Sequence, residues 1–197
     1  MAWETDGEGR SGWNVWPKPA AAAGGGVNRA SYSTLDVFLG LKDATAPVSK
    51  TWPTANLAYF FPIVVPADGT IRRVFWANGG TAAGNVDCGV YNSAGTLIIS
   101  SGSTAQSGTT TLQFVDVADT AITAGAHYIA LAMSLTTSTM LRFKGTMLTL
   151  TTLRAHGVLQ QASALPLPAT ATFATHAGGT TTDQPICGFE LVANSVL

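Results

Sequence analysis

Residues 85–133 of this chain read NVDCGVYNSAGTLIISSGSTAQSGTTTLQFVDVADTAITAGAHYIALAM. Val86, Cys88 and Val90 alternate with small or polar residues, which is the period-two pattern of a strand with one buried face. The whole stretch consists of short β-branched segments separated by turns rich in Gly, Ser and Asn, with little room for a helix. We therefore predict that it forms the middle of an antiparallel β-sandwich.

The clearest hairpin lies within this stretch. Residues 92–95 (NSAG) form the turn, because Asn and Ser bond their own backbone and Gly accepts a positive φ. Residues 96–100 then return as a second strand. In the third strand, Leu112 and Phe114 share one face and Val115 shares the other. This change of phase predicts a bulge near Phe114 or a strand buried on both faces.

The last strand of the stretch has two different faces. Ile129, Leu131 and Met133 point one way, while Ala130 and Ala132 point the other way. The large side chains are suited to the core of the sandwich. The small face could lie beneath another layer.

Other segments extend the sandwich on both sides. Arg72 and Arg73 indicate an exposed edge strand, and Pro62 indicates an edge or a bulge. Pro166 and Pro168 rule out a helix and favour extended chain. Further strands are predicted at residues 57–65, 70–77, 140–144 with a continuation at 145–153, and 186–193. The total of about eight strands predicts an all-β, jelly-roll-like antiparallel sandwich over residues 51–197.

Residues 1–50 do not resemble a domain. Trp3, Trp13 and Trp16 stand among Gly, Pro and polar residues, and an Ala/Gly tract follows at residues 20–26. Such composition predicts an extended arm, and Trp is a favoured anchor at interfaces. We therefore predict that these three Trp side chains anchor the arm to neighbouring subunits. The alternative is an arm that folds back onto its own sandwich.

The composition is unusually poor in charge. The 197 residues have a formal net charge of −1, and only 11% of them are charged, against about a quarter in a typical domain. Either this is a neutral extracellular β-protein, or much of its surface is buried against other subunits. The 10 Lys and Arg residues are scattered, which argues against nucleic-acid binding. No apolar run approaches the ~20 residues of a membrane span, and the N-terminus lacks a secretory signal pattern.

No constellation of catalytic residues is evident, so we predict no catalytic, cofactor-binding or metal site. The three His residues do not form a zinc motif, and the many Ser residues lack a nucleophile elbow. Asp116 and Asp119 could bind calcium but lack the dense oxygen ligands of an EF-hand. Cys88 and Cys187 fall in different predicted strands, and two buried reduced thiols are favoured over a disulfide.

The aromatic residues suggest a second kind of site. Sugars stack on exposed aromatic faces, and Trp52, Trp76 and Tyr91, with Tyr59, are the candidate ligand-facing side chains. Aromatic residues in strands more often belong to the core. A surface glycan is therefore an alternative partner.

Three stretches carry a family resemblance. VDCGVYNSAGTLIISSGST followed by VADTAITAGAHYIALAMS resembles jelly-roll modules of tailed-bacteriophage virion proteins and of some carbohydrate-binding modules. The later ALPLPATATF is similar to a proline-containing strand near the C-terminal end of such phage proteins. The resemblance implies a virion protein made in the cytoplasm of a host bacterium. Its implied partners are other capsid or tail subunits, and a homo-oligomer such as a trimer.

We therefore predict a non-enzymatic structural subunit of a tailed-phage virion, in head decoration, a head fibre or the tail. The alternative is a carbohydrate- or receptor-binding module. An enzyme is the least favoured of the three classes.

Overall fold

The computed structural model describes residues 4–5, 11–12, 31–34, 46–143, 149–177 and 184–192. These residues form antiparallel strands and one short helix, which confirms the predicted all-β sandwich. In chain order the elements are β1 (Glu4–Thr5), β2 (Ser11–Gly12), β3 (Ser31–Ser33), β4 (Val48–Thr51), β5 (Ala58–Val65), β6 (Gly69–Ala77), β7 (Asn85–Asn92), β8 (Leu97–Ser100), β9 (Thr104–Ala105), β10 (Leu112–Ile122), β11 (Gly125–Met133), β12 (Thr139–Phe143), α1 (Leu150–Ala155), β13 (Leu159–Gln161), β14 (Ala174–Thr175), β15 (Gln184–Pro185) and β16 (Cys187–Leu191).

Two sheets face each other to make the sandwich. The front sheet has the strand order β10-β6-β16-β3. The back sheet has the order β14-β13-β5-β11-β7-β8, and β9 also pairs with β7. A third sheet, β15-β12-β4, adjoins the end of β6 through a bridge between Asn78 and Met140.

One apolar core fills the space between the two sheets. Trp76 and Phe189 from the front sheet and Val90, Ile129 and Leu131 from the back sheet are all fully buried in it. The period-two alternation of each strand sends these side chains to the same side. Because burying a large apolar side chain contributes about 1.5–3 kcal/mol, this core is the main source of stability.

The outer face of the back sheet is covered as well. Residues 162–173, which we call the strap, run across it. Ala130 and Ala132 are fully buried beneath the strap, so the predicted additional layer is confirmed. Their short side chains let the strap pack close to the sheet, and the Leu97 N–H donates to the Ala169 carbonyl at 2.9 Å.

The predicted hairpin is confirmed in its details. The side-chain oxygen of Asn92 accepts hydrogen bonds from the N–H groups of Ala94 and Thr96. Gly95 has a φ of +84°, a conformation that glycine adopts without steric cost. The turn therefore fixes the pairing of β7 with β8.

The front sheet differs from expectation in two places. β6 lies between β10 and β16, so the prediction that Arg72 and Arg73 mark an edge strand was wrong. The register of β10 against β6 shifts between Asp116 and Thr120, later than the bulge expected near Phe114. Two Arg side chains are tolerated in a central strand because Arg72 is exposed and Arg73 pairs with Glu190.

Two other segments also differ from the sequence-based expectation. Leu150–Ala155 forms a helix where a continued strand was predicted, and the Thr149 hydroxyl caps it by accepting the Thr152 N–H at 3.1 Å. Ser31–Ser33 and Val48–Thr51, from the predicted arm, pair with β16 and β12 respectively. Within the described part of the chain, no helix has the length and apolar character needed to cross a membrane.

Candidate interaction surface

β10 forms one edge of the front sheet. It is the longest strand described, and among the described residues it pairs only with β6. Leu112 and Phe114 point outward and are 46% and 42% exposed, while Val115 and Val117 pack against the core. The two faces of the strand therefore have different roles, one in the core and one at the surface.

Aromatic and charged neighbours hold Phe114 in place. Its ring lies 5.6 Å from the ring of the buried Phe75. The Arg73 guanidinium lies 4.7 Å from the Phe114 ring centroid and donates from Nε to the Glu190 carboxylate at 2.6 Å. A cation–π contact at an exposed site contributes about 0.5–1 kcal/mol. Because the ion pair is part-exposed, its main effect is to orient the guanidinium rather than to add stability.

We call the exposed Leu112 and Phe114, with the Arg73 guanidinium beside Phe114, the β10 surface, and the buried Phe75 supports it from below. Natural edge strands are usually protected by Lys, Pro, short length or bulges. β10 contains neither Lys nor Pro, and its ladder with β6 is regular from Leu112 to Asp116. Among the described residues, no strand pairs with the outer side of β10 here, and Leu112 and Phe114 are exposed. An edge of this kind could accept a strand from a partner.

The apolar character continues onto the back sheet. β8 lies alongside β10 where the two sheets meet. Ile98 and Ile99 of β8 are half-buried and pack against the same core as Val115 and Val117. Half-buried apolar side chains therefore lie on both sheets at this side of the sandwich, together with the exposed carboxylates of Asp116 and Asp119 on β10.

The structure corrects the prediction of ligand-facing aromatics. Trp52, Trp76 and Tyr91 are at most 1% exposed, and Tyr59 is 4% exposed. Their polar atoms bond internally: Trp52 Nε1 donates to the Leu57 carbonyl at 2.8 Å, Trp76 Nε1 to Asn78 Oδ1 at 2.9 Å, and Tyr91 OH to the Pro168 carbonyl at 2.6 Å. No ring face of these residues is free to stack on a sugar, because neighbouring side chains pack against both faces of each ring.

The remaining residues singled out in the sequence are the three Trp residues of the arm and the two Asp residues considered for calcium. Trp3, Trp13 and Trp16 fall outside the described residues. Asp116 and Asp119 are exposed on β10. Across the part of the chain that the structure describes, no three His, Cys, Asp or Glu side chains come together as a metal site would require.

One buried carboxylate lies beneath the strap. Asp87 is fully buried on the outer face of β7 and accepts the Leu167 N–H at 2.8 Å and the Ser101 hydroxyl at 3.2 Å. Burial raises the pKa of Asp87, and the hydrogen bonds oppose that shift. Because Leu167 belongs to the strap, this carboxylate fastens the strap to the sheet.

The sequence offered a partial signal for the β10 surface. The phase change after Phe114 indicated a strand with apolar residues on both faces, but not which face is exposed. That depends on the layer that covers each sheet, and the strap covers only the back one. No protein-family model, no curated protein and no solved structure matches this chain.

Proposed function

We propose that this protein is a non-enzymatic structural subunit of a tailed-phage virion. It acts by packing against neighbouring subunits. The observation that carries the proposal is the β10 surface, where Leu112 and Phe114 are exposed on a strand that pairs only with β6 among the described residues. Two neighbouring exposed apolar side chains on the edge of a sheet are suited to a protein–protein contact. Head decoration, a head fibre and a tail component all use such contacts.

The strand order supports a jelly roll, which we also propose. Four strands in the order β3-β16-β6-β10 face four in the order β5-β11-β7-β8. Along the chain β5, β6 and β7 alternate between the sheets, and β16 returns to lie between β3 and β6. This interleaving is what two Greek keys rolled together would produce, an architecture found in viral capsid and lectin domains.

The charge content supports assembly as the mode of action. With 11% of residues charged and a net charge of −1, little electrostatic repulsion keeps copies apart. Apolar burial at the β10 surface would then drive association without a large desolvation cost. The proposal includes a homo-oligomer, for example a trimer, and contacts with other virion proteins.

Sedimentation velocity over a range of protein concentrations tests the role of the β10 surface. We expect the wild type to sediment as an oligomer and the double variant Leu112→Ser/Phe114→Ser to sediment as a monomer. Val64→Ser is a matched control, because Val64 is 72% exposed on the other sheet. The control should keep the oligomer. The role of this surface would be refuted if the wild type were monomeric at every concentration. It would also be refuted if Val64→Ser lost the oligomer to the same extent as the double variant.

The virion assignment needs its own measurement. Particles purified on a density gradient from cells that produce this chain should contain it at a stoichiometry fixed from one preparation to the next, as counted by mass spectrometry. If the chain stays in the unassembled fraction, the virion assignment is wrong even where self-association is real.

The alternative proposal is a glycan-binding module, and one observation supports it. Tyr128 and Phe173 form a half-exposed aromatic pair with ring centroids 4.9 Å apart. Their planes are tilted by 48°, so they do not form a flat platform. Saturable binding on a glycan array that is lost in Tyr128→Ala would favour this reading over assembly.

A further inference from the structure

Cys88 and Cys187 face each other across the sandwich. Cys88 lies on β7 of the back sheet and Cys187 begins β16 of the front sheet. Both are free thiols, both are fully buried, and both belong to the main core. Residues nearly a hundred positions apart in sequence are thus brought to one point of the fold.

The contacts show how closely the sheets approach here. The Cys88 Sγ lies 3.5 Å from the Phe75 carbonyl oxygen and 3.8 Å from that of Gly188, the residue directly after Cys187. The Cys187 thiol is also close enough to raise the pKa of the Cys88 thiol. Packed sheets are usually about 10 Å apart, whereas here one thiol reaches the opposite backbone. Close approach of the two backbones is one requirement for a disulfide.

We propose that Cys88 and Cys187 are an inter-sheet redox pair that forms a disulfide by exchange with a small-molecule disulfide such as oxidised glutathione. One cysteine thiolate attacks a glutathione sulfur, and one reduced glutathione leaves. The second cysteine then attacks the mixed disulfide, and the second glutathione leaves. Overall, two thiols lose two protons and two electrons, and one glutathione disulfide becomes two glutathione thiols.

The environment of the pair makes this exchange slow in the folded protein. Burial is the main cause that raises the pKa of the Cys88 thiol, and the neighbouring Cys187 adds to it. Since the thiolate is the reactive form, little reactive Cys88 exists at neutral pH. The pair would stay reduced in a reducing compartment and become oxidised after transfer to an oxidising one.

The bond would stabilise the fold because it joins the two sheets directly. It would close a loop of about 100 residues, and in the chain-entropy description long loops give the larger stabilisation. This inference does not depend on the proposed function. A virion protein that is made inside a cell and acts outside it would encounter both redox conditions.

A redox titration tests the proposal. Wild-type protein is equilibrated with mixtures of reduced and oxidised glutathione, once folded and once in concentrated guanidinium chloride, then quenched with N-ethylmaleimide and weighed by intact-mass spectrometry. We expect the folded protein to form the internal bond at a ratio of oxidised to reduced glutathione at least tenfold lower than the unfolded chain requires.

A failure to form the bond could result from slow access to the buried thiols or from unfavourable geometry, and the experiment must distinguish the two. The titration is therefore run from both directions, with reduced protein and with protein oxidised during refolding. Cys88→Ala and Cys187→Ala serve as controls, since neither can form the internal bond. The proposal is overturned if the oxidised protein melts at a lower temperature than the reduced one, or if the folded chain disfavours the bond relative to the unfolded chain.

Discussion

Asp87→Ala should release the strap from the back sheet. The wild-type carboxylate accepts the Leu167 N–H at 2.8 Å, and Leu167 is buried against the sheet. Truncation leaves this N–H without its acceptor in a place that water does not reach. The Ser101 hydroxyl is less affected, because it also contacts the Gly102 carbonyl at 3.0 Å.

Two opposing effects set the magnitude. An unsatisfied buried donor costs about 1–3 kcal/mol. Removing the buried carboxylate offsets part of this loss of stability, because burial disfavours the ionised form of Asp87, as its raised pKa indicates. We therefore expect a net loss of about 1–2 kcal/mol in the free energy of unfolding. With a urea m-value of about 1–3 kcal/mol/M, the midpoint should fall by roughly 0.5–1 M.

Two measurements read out the effect. Urea unfolding gives the loss of stability, and hydrogen exchange followed by mass spectrometry locates it. We expect faster exchange in peptides from the strap, with little change in β11, because the strap opens before the core does. Asp119→Ala is the matched control, since Asp119 is exposed and its loss should stay within about 0.5 kcal/mol.

The reasoning fails if Asp87→Ala leaves strap exchange unchanged while the control behaves as expected. The hydrogen bond to Leu167 would then contribute nothing that packing of the strap does not already supply.

The same residue predicts a pH dependence. Burial raises the folded-state pKa of Asp87 above its ordinary value of 3.8. Its contribution to stability is therefore fully present below that value and is lost as pH rises through the folded-state pKa. In Asp87→Asn this component should disappear, while the amide oxygen can still accept the Leu167 N–H. Unfolding free energies measured across the acidic range should show a flatter slope in the variant than in wild type.

Two further substitutions test other parts of the structure. Burial, with the nearby Arg154, lowers the pKa of His176 from 6.5. The contribution of His176 to folding stability is therefore present above pH 6.5 and is lost as pH falls. The melting temperature should drop less on acidification in His176→Gln than in wild type. Gly89→Ala would place a Cβ 2.8 Å from the Ile99 carbonyl oxygen and should cost about 1–3 kcal/mol in urea unfolding. Gly80→Ala is its control, since the nearest atom there lies at 3.7 Å. An equal effect in both glycine variants would contradict the steric argument.

The sequence alone determined the central strands and which side chains they send to each face. Alternation at Ile129, Leu131 and Met133 depends only on the geometry of an extended chain, and the turn at residues 92–95 depends on local bonds of Asn92. Both features depend only on residues close together in the sequence. The all-β class and the second layer over the alanine face were therefore predictable.

Only the tertiary structure decided which faces are exposed and which distant residues meet. Phe114 and Trp76 lie in similar strand patterns, yet one is at the surface and the other is in the core, because the cover of each sheet comes from remote parts of the chain. The approach of Cys88 to Cys187 likewise results from packing β7 against β16. Sequence spacing cannot supply these contacts, since they depend on how whole sheets stack rather than on the conformation of any one segment.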